Sequence, residues 1–347
     1  MASTKVNVDV CCGLAWGDEA KGKIVGQLAK SGKYDFICRF GGGSNAGHTI
    51  YVDGKKYKTH LIPSGIFHGI TSVIGPGCVV NKGDFQHEID YLSEHGFDTS
   101  LIKISPKAHV VRESHITEDK STHAKTQGST SKGIAQCYRD KYNRIGTRVD
   151  HKDNIEFFRK YLWDEKLYGN ILCEGAQGVW LDIDHGNYPY VTSSCTLPYS
   201  ACSLGFPPQY INKIYGAAKI YDTRAGIDPE FPEKLLEDNE LLKLVEEGKE
   251  FGTTTGRKRK TNWLNLNKLI KAINISGTTD IIISKVDILE NLKKFKIIYN
   301  DKIETFEDIK SMKEFIEQEI YNKCNLVKNI LFSNNTEFVD GLLNVLI

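Results

Sequence analysis

A glycine-rich segment near the N-terminus has the spacing of a phosphate-binding loop. From Gly17 to Lys23 the sequence reads G-x-x-x-x-G-K, and in a P-loop the next residue is Ser or Thr, whose hydroxyl binds Mg²⁺. Here the next residue is Ile24, and an acid, Asp18, lies inside the loop. The backbone amides and lysines of the loop favour phosphate binding. Three roles are open for Asp18: a Mg²⁺ ligand, a general base, or a solvated residue of a turn.

A second loop, in the segment RFGGGSNAGHTI, combines three glycines with polar side chains. The side chain of Asn45 can bind phosphate oxygens. His48 can transfer a proton, because the charge of an imidazole is tunable near neutral pH. A structural role for the histidine is equally compatible with the residue type. The residues alone leave both interpretations open.

Two later segments suit anionic groups and a purine. In FGTTTGRKRKTNW, Arg257 and Arg259 could clamp a carboxylate or a phosphate in bidentate fashion. A nucleic-acid surface is the alternative, and the near-neutral net charge of +1 and the lack of interleaved aromatic residues disfavour it. In IIISKVDIL, Lys285 and Asp287 have the K-x-D spacing of a guanine-reading turn. Together with the glycine loop, this turn points to GTP.

The segment CEGAQGVWLDIDHGNYPYVTSS is dense in glycines and polar groups, including Gln177 and Thr192. Its triplet Asp182, Asp184 and His185 has residue types that bind metals. The spacing also suits a turn in which one carboxylate accepts hydrogen bonds from the following backbone. The turn is the interpretation we favour.

Composition sets limits on the class of protein. The chain has 347 residues, of which 40% are hydrophobic and 26% charged, within the range of globular proteins. We expect no nucleic-acid partner, no membrane span and no secretory signal, since no segment approaches the roughly 20 apolar residues of a span. Nine scattered cysteines without a CxxC pair predict buried free thiols in a reducing cytoplasm rather than a zinc site.

The order of segments predicts an α/β fold. Buried strands that end in polar loops alternate with helical segments, beginning with the strand VNVDVCCGL, the glycine loop and the helix KGKIVGQLAKSG. We expect one large domain over 1–347, with a mostly parallel central sheet flanked by helices and ligands at the carboxyl ends of its strands. Residues 288–347 are expected to form a divergent strand and helix region that contributes to the nucleotide-base pocket.

Six motifs occur in the order found in adenylosuccinate synthetase, and they are W-G-D-E-x-K-G-K, N-A-G-H-T, E-G-A-Q-G, D-I-D-H-G-x-Y-P-Y-V-T-S-S, G-T-T-T-G-R-x-R and K-x-D. The chain resembles that family from about residue 6 to residue 290. The resemblance implies a ligase of purine nucleotide synthesis that joins L-aspartate to C6 of IMP. The reaction would pass through a 6-phosphoryl intermediate, driven by GTP with Mg²⁺.

The resemblance also implies catalytic roles. Asp18 matches the base that removes the purine N1 proton and ligates Mg²⁺, helped by the carbonyl of Gly47. His48 matches the general acid in phosphoryl transfer to O6, and Gln177 matches a residue that contacts the base. A metal ligand from Asp18 would explain why Ile24 is tolerated in place of the P-loop hydroxyl.

Binding roles follow from the same resemblance. The residues implied to bind GTP are Gly17, Glu19, Ala20, Lys21, Gly22, Lys23, Arg259, Lys285, Asp287 and Ser333. Those implied to bind the purine monophosphate are Asn45, Thr130, Arg144, Gln177, Thr192 and Ala225, with Arg144 delivered by the partner subunit of a homodimer. Those implied to bind aspartate are Thr253, Thr254, Thr255 and Arg257.

Four positions depart from the family pattern. Ala20 stands where glycine is usual, Ser44 where a bulkier polar residue is common, and Ala225 where valine usually lies by the ribose. The C-terminal base-binding loop, normally S-T-G-P-D, corresponds here to FSNNTEF, in which Ser333 remains and Gly-Pro is absent. The absence of Gly-Pro makes ATP or dATP competitors to GTP, and Ala225 would relax the choice between ribose and deoxyribose.

Three alternative functions follow from these features. The first is a phage-type relative that uses dGMP with ATP or dATP, which would act in a host cytoplasm, and Asp18 favours IMP over it. The second is a GTP-binding regulatory module, which does not explain G-T-T-T-G-R-x-R or the D-I-D-H-G segment. The third is an inactive scaffold, which the retention of Asp18, His48, Gln177 and Arg257 disfavours.

Overall fold

The computed structural model describes residues 6–122, 126–252, 256 and 258–346. A parallel eight-stranded sheet forms its centre. In chain order its strands are β1 (Val6–Gly13), β2 (Phe36–Arg39), β5 (Thr71–Ile74), β7 (Ile102–Ile104), β9 (Gly169–Glu174), β10 (Ile211–Lys219), β13 (Asp280–Ser284) and β16 (Asn329–Ser333). Their order across the sheet is β16-β13-β10-β1-β9-β2-β5-β7. The predicted α/β class with a mostly parallel central sheet is confirmed.

Smaller sheets lie beside the central one. A four-stranded sheet has the order β11-β12-β14-β15, and the pairs β3–β4 and β6–β8 form two more. The strands are β3 (His48–Val52), β4 (Lys55–Thr59), β6 (Val79–Val80), β8 (His109–Val110), β11 (Tyr221–Arg224), β12 (Lys260–Asn265), β14 (Lys296–Tyr299) and β15 (Lys302–Thr305). The sequence KIYGAAKIYDTRAG contributes to two sheets, because it contains the end of β10, in the central sheet, and all of β11, in the four-stranded sheet.

Helices flank the central sheet and the smaller sheets. They are Lys21–Lys30 (α1), Lys82–Glu94, Glu113–Ser121, Ile134–Tyr142, Ile155–Phe158, Asn239–Glu247, Leu266–Ser276, Val286–Leu292 and Ile309–Lys323. The spacing of Ile309, Met312, Phe315, Ile316 and Ile320 predicts a stripe that faces the core. In the last of these helices Met312, Ile316 and Ile320 are buried, and Ile309 and Phe315 are partly buried against the same core. No helix in the described part of the chain is both long and apolar enough to cross a membrane.

Both faces of the central sheet are buried, which explains why β1 reads as a nearly continuous apolar run. Val8 and Val10 pack on one face with residues of β2 and of the 198–206 region. Cys11 lies on the other face and packs with Ile24 and Leu28 of α1. This alternation follows the two-residue period of a strand.

The parallel arrangement brings the polar loops to one edge. β1 lies between β9 and β10, and β2 lies on the far side of β9. Because parallel strands all point the same way, the loops that follow β1, β2, β9, β10 and β13 emerge at the same edge of the sheet. The glycine loop, the Asn45 loop, the Gln177 loop and the K-x-D turn are four of these loops, so the fold assembles them into one region.

Candidate active site

A cavity of about 740 Å³ lies at the carboxyl ends of the strands. Eight cationic and four anionic side chains of the described residues line it, an excess of positive charge that suits phosphorylated ligands. The predicted residues that line it are Gly17, Asp18, Ala20, Lys21, Gly22, Lys23, Asn45, Gly47, His48, Thr130, Gln177, Thr192, Ala225, Arg259, Lys285 and Asp287. The fold therefore brings most of the predicted site together.

Glu19 supports the glycine loop from beneath. Its buried carboxylate accepts hydrogen bonds from the backbone amides of Ala15 and Gly17, at 3.1 and 2.6 Å, and from Lys21 Nζ at 2.7 Å. The Lys21 ammonium also donates to the carbonyl of Gly17 at 3.1 Å. Glu19 thus points away from the cavity, and its carboxylate fixes the loop rather than facing a ligand.

The glycine loop turns into α1 through a left-handed residue. Ala20 immediately precedes the helix and has φ 62° and ψ 35°, a conformation that glycine adopts without steric cost and alanine does not. The backbone requirement explains why glycine is usual at this position, and Ala20 meets it at the expense of local strain. At Gly22 an added Cβ would lie 2.8 Å from the carbonyl oxygen of Thr49, so α1 and β3 meet too closely for a side chain there.

Asp18 faces the cavity and is paired with a partly buried cation. Arg259 Nη2 lies 2.9 Å from Asp18 Oδ1, and Arg259 Nη1 lies 2.7 Å from Glu250 Oε2. Lys219 Nζ reaches the other oxygen of Glu250 at 3.0 Å. Burial raises the pKa of Asp18 above its usual value, and the neighbouring Arg259 and Lys219 only partly oppose this rise. A carboxylate with a raised pKa is suited to accept a proton.

His48, the first residue of β3, is buried beside a carboxylate that sequence reasoning missed. Its Nδ1 contacts Oε1 of Glu174, the last residue of β9, and the other carboxylate oxygen accepts from the amide of Ser64 at 2.8 Å. Burial lowers the pKa of His48, which the charge of Glu174 opposes. Glu174 begins the E-G-A-Q-G motif, and an acid at the end of the apolar run NILCE was the available signal.

Two linked loops form the side of the cavity that holds Asn45 and Thr130. Ser44 donates to Asp84, and Lys132 Nζ lies 2.9 Å from the second oxygen of Asp84. This acid therefore joins the loop before Asn45 to the loop after Thr130. The departure at Ser44 is thereby accommodated by a hydrogen bond to a neighbouring helix.

The Lys285 and Asp287 turn faces the end of the cavity formed by the C-terminal loop. Lys23 Nζ donates to Ser333 Oγ at 3.1 Å and to the carbonyl of Asn335 at 2.8 Å. Burial, opposed by Asp287 and assisted by Lys285, lowers the pKa of Lys23 to about 8. Ser333 is buried behind the surface, whereas Asn335 and Thr336 line the cavity.

The remaining predicted residues have different positions. Gln177 has a left-handed backbone with φ 55°, and its buried Oε1 finds no hydrogen-bond partner among the described residues. Arg144 is exposed and lies outside the cavity of its own chain. The predicted aspartate-binding residues Thr253, Thr254, Thr255 and Arg257 lie outside the described residues.

The Asp182 triplet forms the turn that we favoured over a metal site. Asp182 Oδ1 accepts from the amides of Asp184 and His185, at 3.0 and 3.3 Å, and Oδ2 accepts from the amide of Thr196 at 2.6 Å. The described residues contain no group of three or more His, Cys, Asp or Glu side chains that could hold a metal. All nine cysteines are free; seven are buried as predicted, whereas Cys195 and Cys202 are partly exposed.

Comparison with known proteins identifies the family. The model of the adenylosuccinate synthetase family matches residues 10–168 and 152–331. Adenylosuccinate synthetase of Syntrophomonas wolfei is 40% identical over 342 residues, 83% of this chain and 79% of that protein. The enzyme of Lysinibacillus sphaericus is 37% identical over 365 residues, 89% of this chain and 84% of that protein.

Two solved structures share the fold. Fully ligated adenylosuccinate synthetase from Plasmodium falciparum has a TM-score of 0.82 at 27% identity and covers 95% of this chain and 97% of its own. Succinoaminodeoxyadenylate synthetase of cyanophage S-2L, bound to dGMP and dATP, has a TM-score of 0.72 at 18% identity. The match covers 95% of this chain and 93% of the phage protein. The second likeness extends to the fold alone.

The parallel α/β fold, the cation-lined cavity and these relatives define the class of protein as a ligase that forms a carbon–nitrogen bond. The chain belongs to the adenylosuccinate synthetase family. The resemblance stated from six sequence motifs is confirmed. Members of this family use a nucleotide co-substrate and Mg²⁺.

Replacing Ala20 by glycine should stabilise the protein, because glycine relieves the left-handed strain at the start of α1. We expect a gain of about 0.5–1 kcal/mol in the free energy of unfolding, measured by urea denaturation.

Gly32→Ala is the matched control for Ala20→Gly. Gly32 follows α1 with φ +72°, and an added Cβ there would meet no atom within 4 Å, so only the backbone cost changes. Gly32→Ala should lose a similar amount of stability. A destabilised Ala20→Gly variant would contradict the assignment of strain to this residue.

Proposed function

We propose that the protein is an adenylosuccinate synthetase that joins L-aspartate to C6 of IMP with hydrolysis of GTP. The observation that carries the proposal is the presence of Asp18 and His48 in one cavity that is rich in cations and lies at the carboxyl ends of parallel strands. Phosphoryl transfer to an oxygen atom needs this combination of a base, an acid and positive charge.

The proposed reaction has two steps. The oxygen at C6 of the purine is a poor leaving group, so it is first phosphorylated by the γ-phosphate of GTP while Asp18 removes the N1 proton. The amine of aspartate then displaces phosphate from C6. His48 donates a hydrogen bond to the moving phosphoryl group, and the loop amides and Lys21 meet its charge. The raised pKa of Asp18 and the lining position of both side chains support these roles.

Asp18 and the carbonyl of Gly47 would hold Mg²⁺. Both lie on the cavity lining, and carboxylate and carbonyl oxygens are donors that this hard cation prefers. Magnesium is commonly bound by one or two carboxylates together with substrate phosphates, which fits a described region without a larger cluster of acids. The ion would neutralise charge on the β- and γ-phosphates, while Arg259 keeps the Asp18 carboxylate oriented toward the cavity.

We assign the nucleotide base to the end of the cavity near Asp287. Its carboxylate would accept from N1 and N2 of guanine, and Lys285 would pack on the ring. Residues 288–347 would complete this end within a single domain, since β16 pairs with β13 and Asn335 and Thr336 line the cavity. Because the loop lacks Gly-Pro, ATP and dATP are the competing donors.

Purine monophosphate and aspartate would bind on the other side. Asn45, Thr130 and Thr192 would hold the 5′-phosphate, Gln177 would contact the base, and Ala225 would lie by the ribose; all five line the cavity. The segment with Thr253, Thr254, Thr255 and Arg257 would hold the carboxylates of aspartate. The basis for that assignment is the family motif G-T-T-T-G-R-x-R.

We propose a homodimer in which Arg144 reaches the purine monophosphate of the neighbouring subunit. Arg144 follows the helix Ile134–Tyr142 and is exposed outside its own cavity, between Tyr142 and Ile145, which are 72% and 59% exposed. Large apolar side chains with this exposure suit a protein interface. The reaction would occur in the cytoplasm, where free cysteines stay reduced.

Phosphate release measured across a panel of substrates tests the proposed function. The acceptors are IMP, dIMP, GMP and dGMP, each with aspartate and with GTP, ATP or dATP. We expect turnover with IMP and GTP that requires aspartate. Activity on dGMP alone would contradict the choice of IMP and identify the phage-type reaction. Phosphate release from GTP without purine monophosphate or aspartate would identify a regulatory GTPase.

Asp18→Asn is the diagnostic variant for this panel. It should lower kcat by on the order of 10²–10⁴-fold, because the proton acceptor is removed, and leave nucleotide binding largely intact. Asp301→Asn, in the turn between β14 and β15 and outside the cavity lining, is the matched control and should keep normal turnover. Near-normal kcat in Asp18→Asn would show that the base is a different group.

Mixing two inactive variants tests the shared site. When Asp18→Asn and Arg144→Ala subunits exchange, about half of the dimers are mixed, and each mixed dimer has one site with neither change. About a quarter of the parent activity should return. Mixing Asp18→Asn with His48→Asn should restore none, because both side chains act within their own subunit. Equal behaviour of the two mixtures would contradict delivery of Arg144 in trans.

A further inference from the structure

Glu174 and Arg39 lie side by side beneath the cavity. Parallel β2 and β9 pair Arg39 with Glu174, and β1 pairs Cys11 with the same glutamate from the other side. Residues in register on adjacent strands point to the same face of a sheet, about 4.8 Å apart along the hydrogen-bonding direction. Both charged residues are fully buried, with 0% exposure.

The carboxylate of Glu174 is held from two directions. One oxygen contacts His48 Nδ1, and the other accepts from the amide of Ser64 at 2.8 Å. With Nδ1 engaged by Glu174, Nε2 is the imidazole nitrogen left for a ligand in the cavity. His48 lines that cavity although it is only 5% exposed, so its orientation is set by the protein.

The groups around Glu174 keep its carboxylate ionised. Burial alone would raise the pKa of Glu174, but the neighbouring His48 and Arg39 and the amide of Ser64 outweigh it, and the pKa falls below its usual value. The Arg39 guanidinium is itself anchored by a hydrogen bond from Nη1 to the carbonyl of His60 at 3.0 Å. The thiol of Cys11 has a pKa raised by burial and stays neutral.

We propose that Glu174 is the positioning residue for His48, fixing the protonated imidazole with its Nδ1–H toward the carboxylate and its Nε2–H toward the transferred phosphoryl group. The inference rests on the proposed function, in which His48 assists phosphoryl transfer. Glu174 touches no substrate and acts through the ring. A histidine constrained in this way meets the transition state without a reorientation cost.

Glu174→Gln tests the proposal with little change in size. The amide oxygen can still accept from Ser64, but the charge that orients the imidazole is lost. We expect kcat to fall on the order of 10²-fold while KM for the two nucleotides changes less than about threefold. In a His48→Asn background the same substitution should cost less than about threefold, because the residue through which it acts is gone.

The protein offers a close control in Glu88. This buried glutamate also contacts a histidine, with Oε1 3.2 Å from His60 Nδ1, and accepts from the amides of Leu61 and Ile62. It lies outside the cavity lining. Glu88→Gln therefore reproduces the loss of a buried histidine-bound charge, and it should leave kcat within about twofold of the parent value.

A spectroscopic measurement separates this inference from the proposed function. The ¹⁵N chemical shifts of His48, recorded at one pH without substrates, report which ring nitrogen carries the proton. The parent should show a proton on Nδ1, and Glu174→Gln should show a smaller fraction of Nδ1–H.

Unchanged shifts, unchanged kcat, or an equal loss of kcat in the His48→Asn background would overturn the role of Glu174. A parent protein inactive on every purine, with the expected tautomer, would overturn the proposed function and leave the positioning of the ring supported.

Discussion

The parallel pairing of β1 with β9 and β10 is the constraint on which the site depends. It makes the glycine loop and the Gln177 loop leave adjacent strands at the same edge, and β2 adds the Asn45 loop beside them. The Gln177 loop is more than a hundred positions from the other two loops in the chain, so no local interaction could assemble the three. Burial of both sheet faces fixes this arrangement, because a slip in strand register would move apolar side chains out of the core.

Buried carboxylates beneath the cavity organise the positive charge above it. Glu19 holds Lys21 at 2.7 Å, and Glu250 holds Lys219 at 3.0 Å and Arg259 at 2.7 Å. Removing one partner of such a buried pair would leave an uncompensated charge, at a typical cost of about 3–5 kcal/mol. The acids therefore keep the cations in place before a phosphorylated ligand arrives. Glu174 is a further buried carboxylate of this kind, but it contacts His48, so its effect reaches an imidazole instead of a phosphate-binding cation.

The sequence predicted the parts of the structure that depend on local pattern. The apolar strand before Gly17 and the helix after it were confirmed, as were the stripe on Ile309–Lys323 and the turn at Asp182. Family motifs led to the set of residues around the cavity. The role of Glu174 was missed because its contacts, His48 and Ser64, are 126 and 110 positions away. The left-handed backbone at Ala20 was also missed, since alanine is not the residue type that signals it.

The central claim is that this cavity activates the purine by phosphoryl transfer before aspartate reacts. Positional isotope exchange tests it directly, with GTP that carries ¹⁸O at the non-bridging β-phosphate oxygens. If the γ-phosphoryl group moves reversibly to the purine, the label will scramble into the β–γ bridge in the presence of IMP and Mg²⁺ without aspartate. The account predicts scrambling that requires IMP and is lost in Asp18→Asn. Absence of scrambling in a protein that completes ligation when aspartate is added would contradict it.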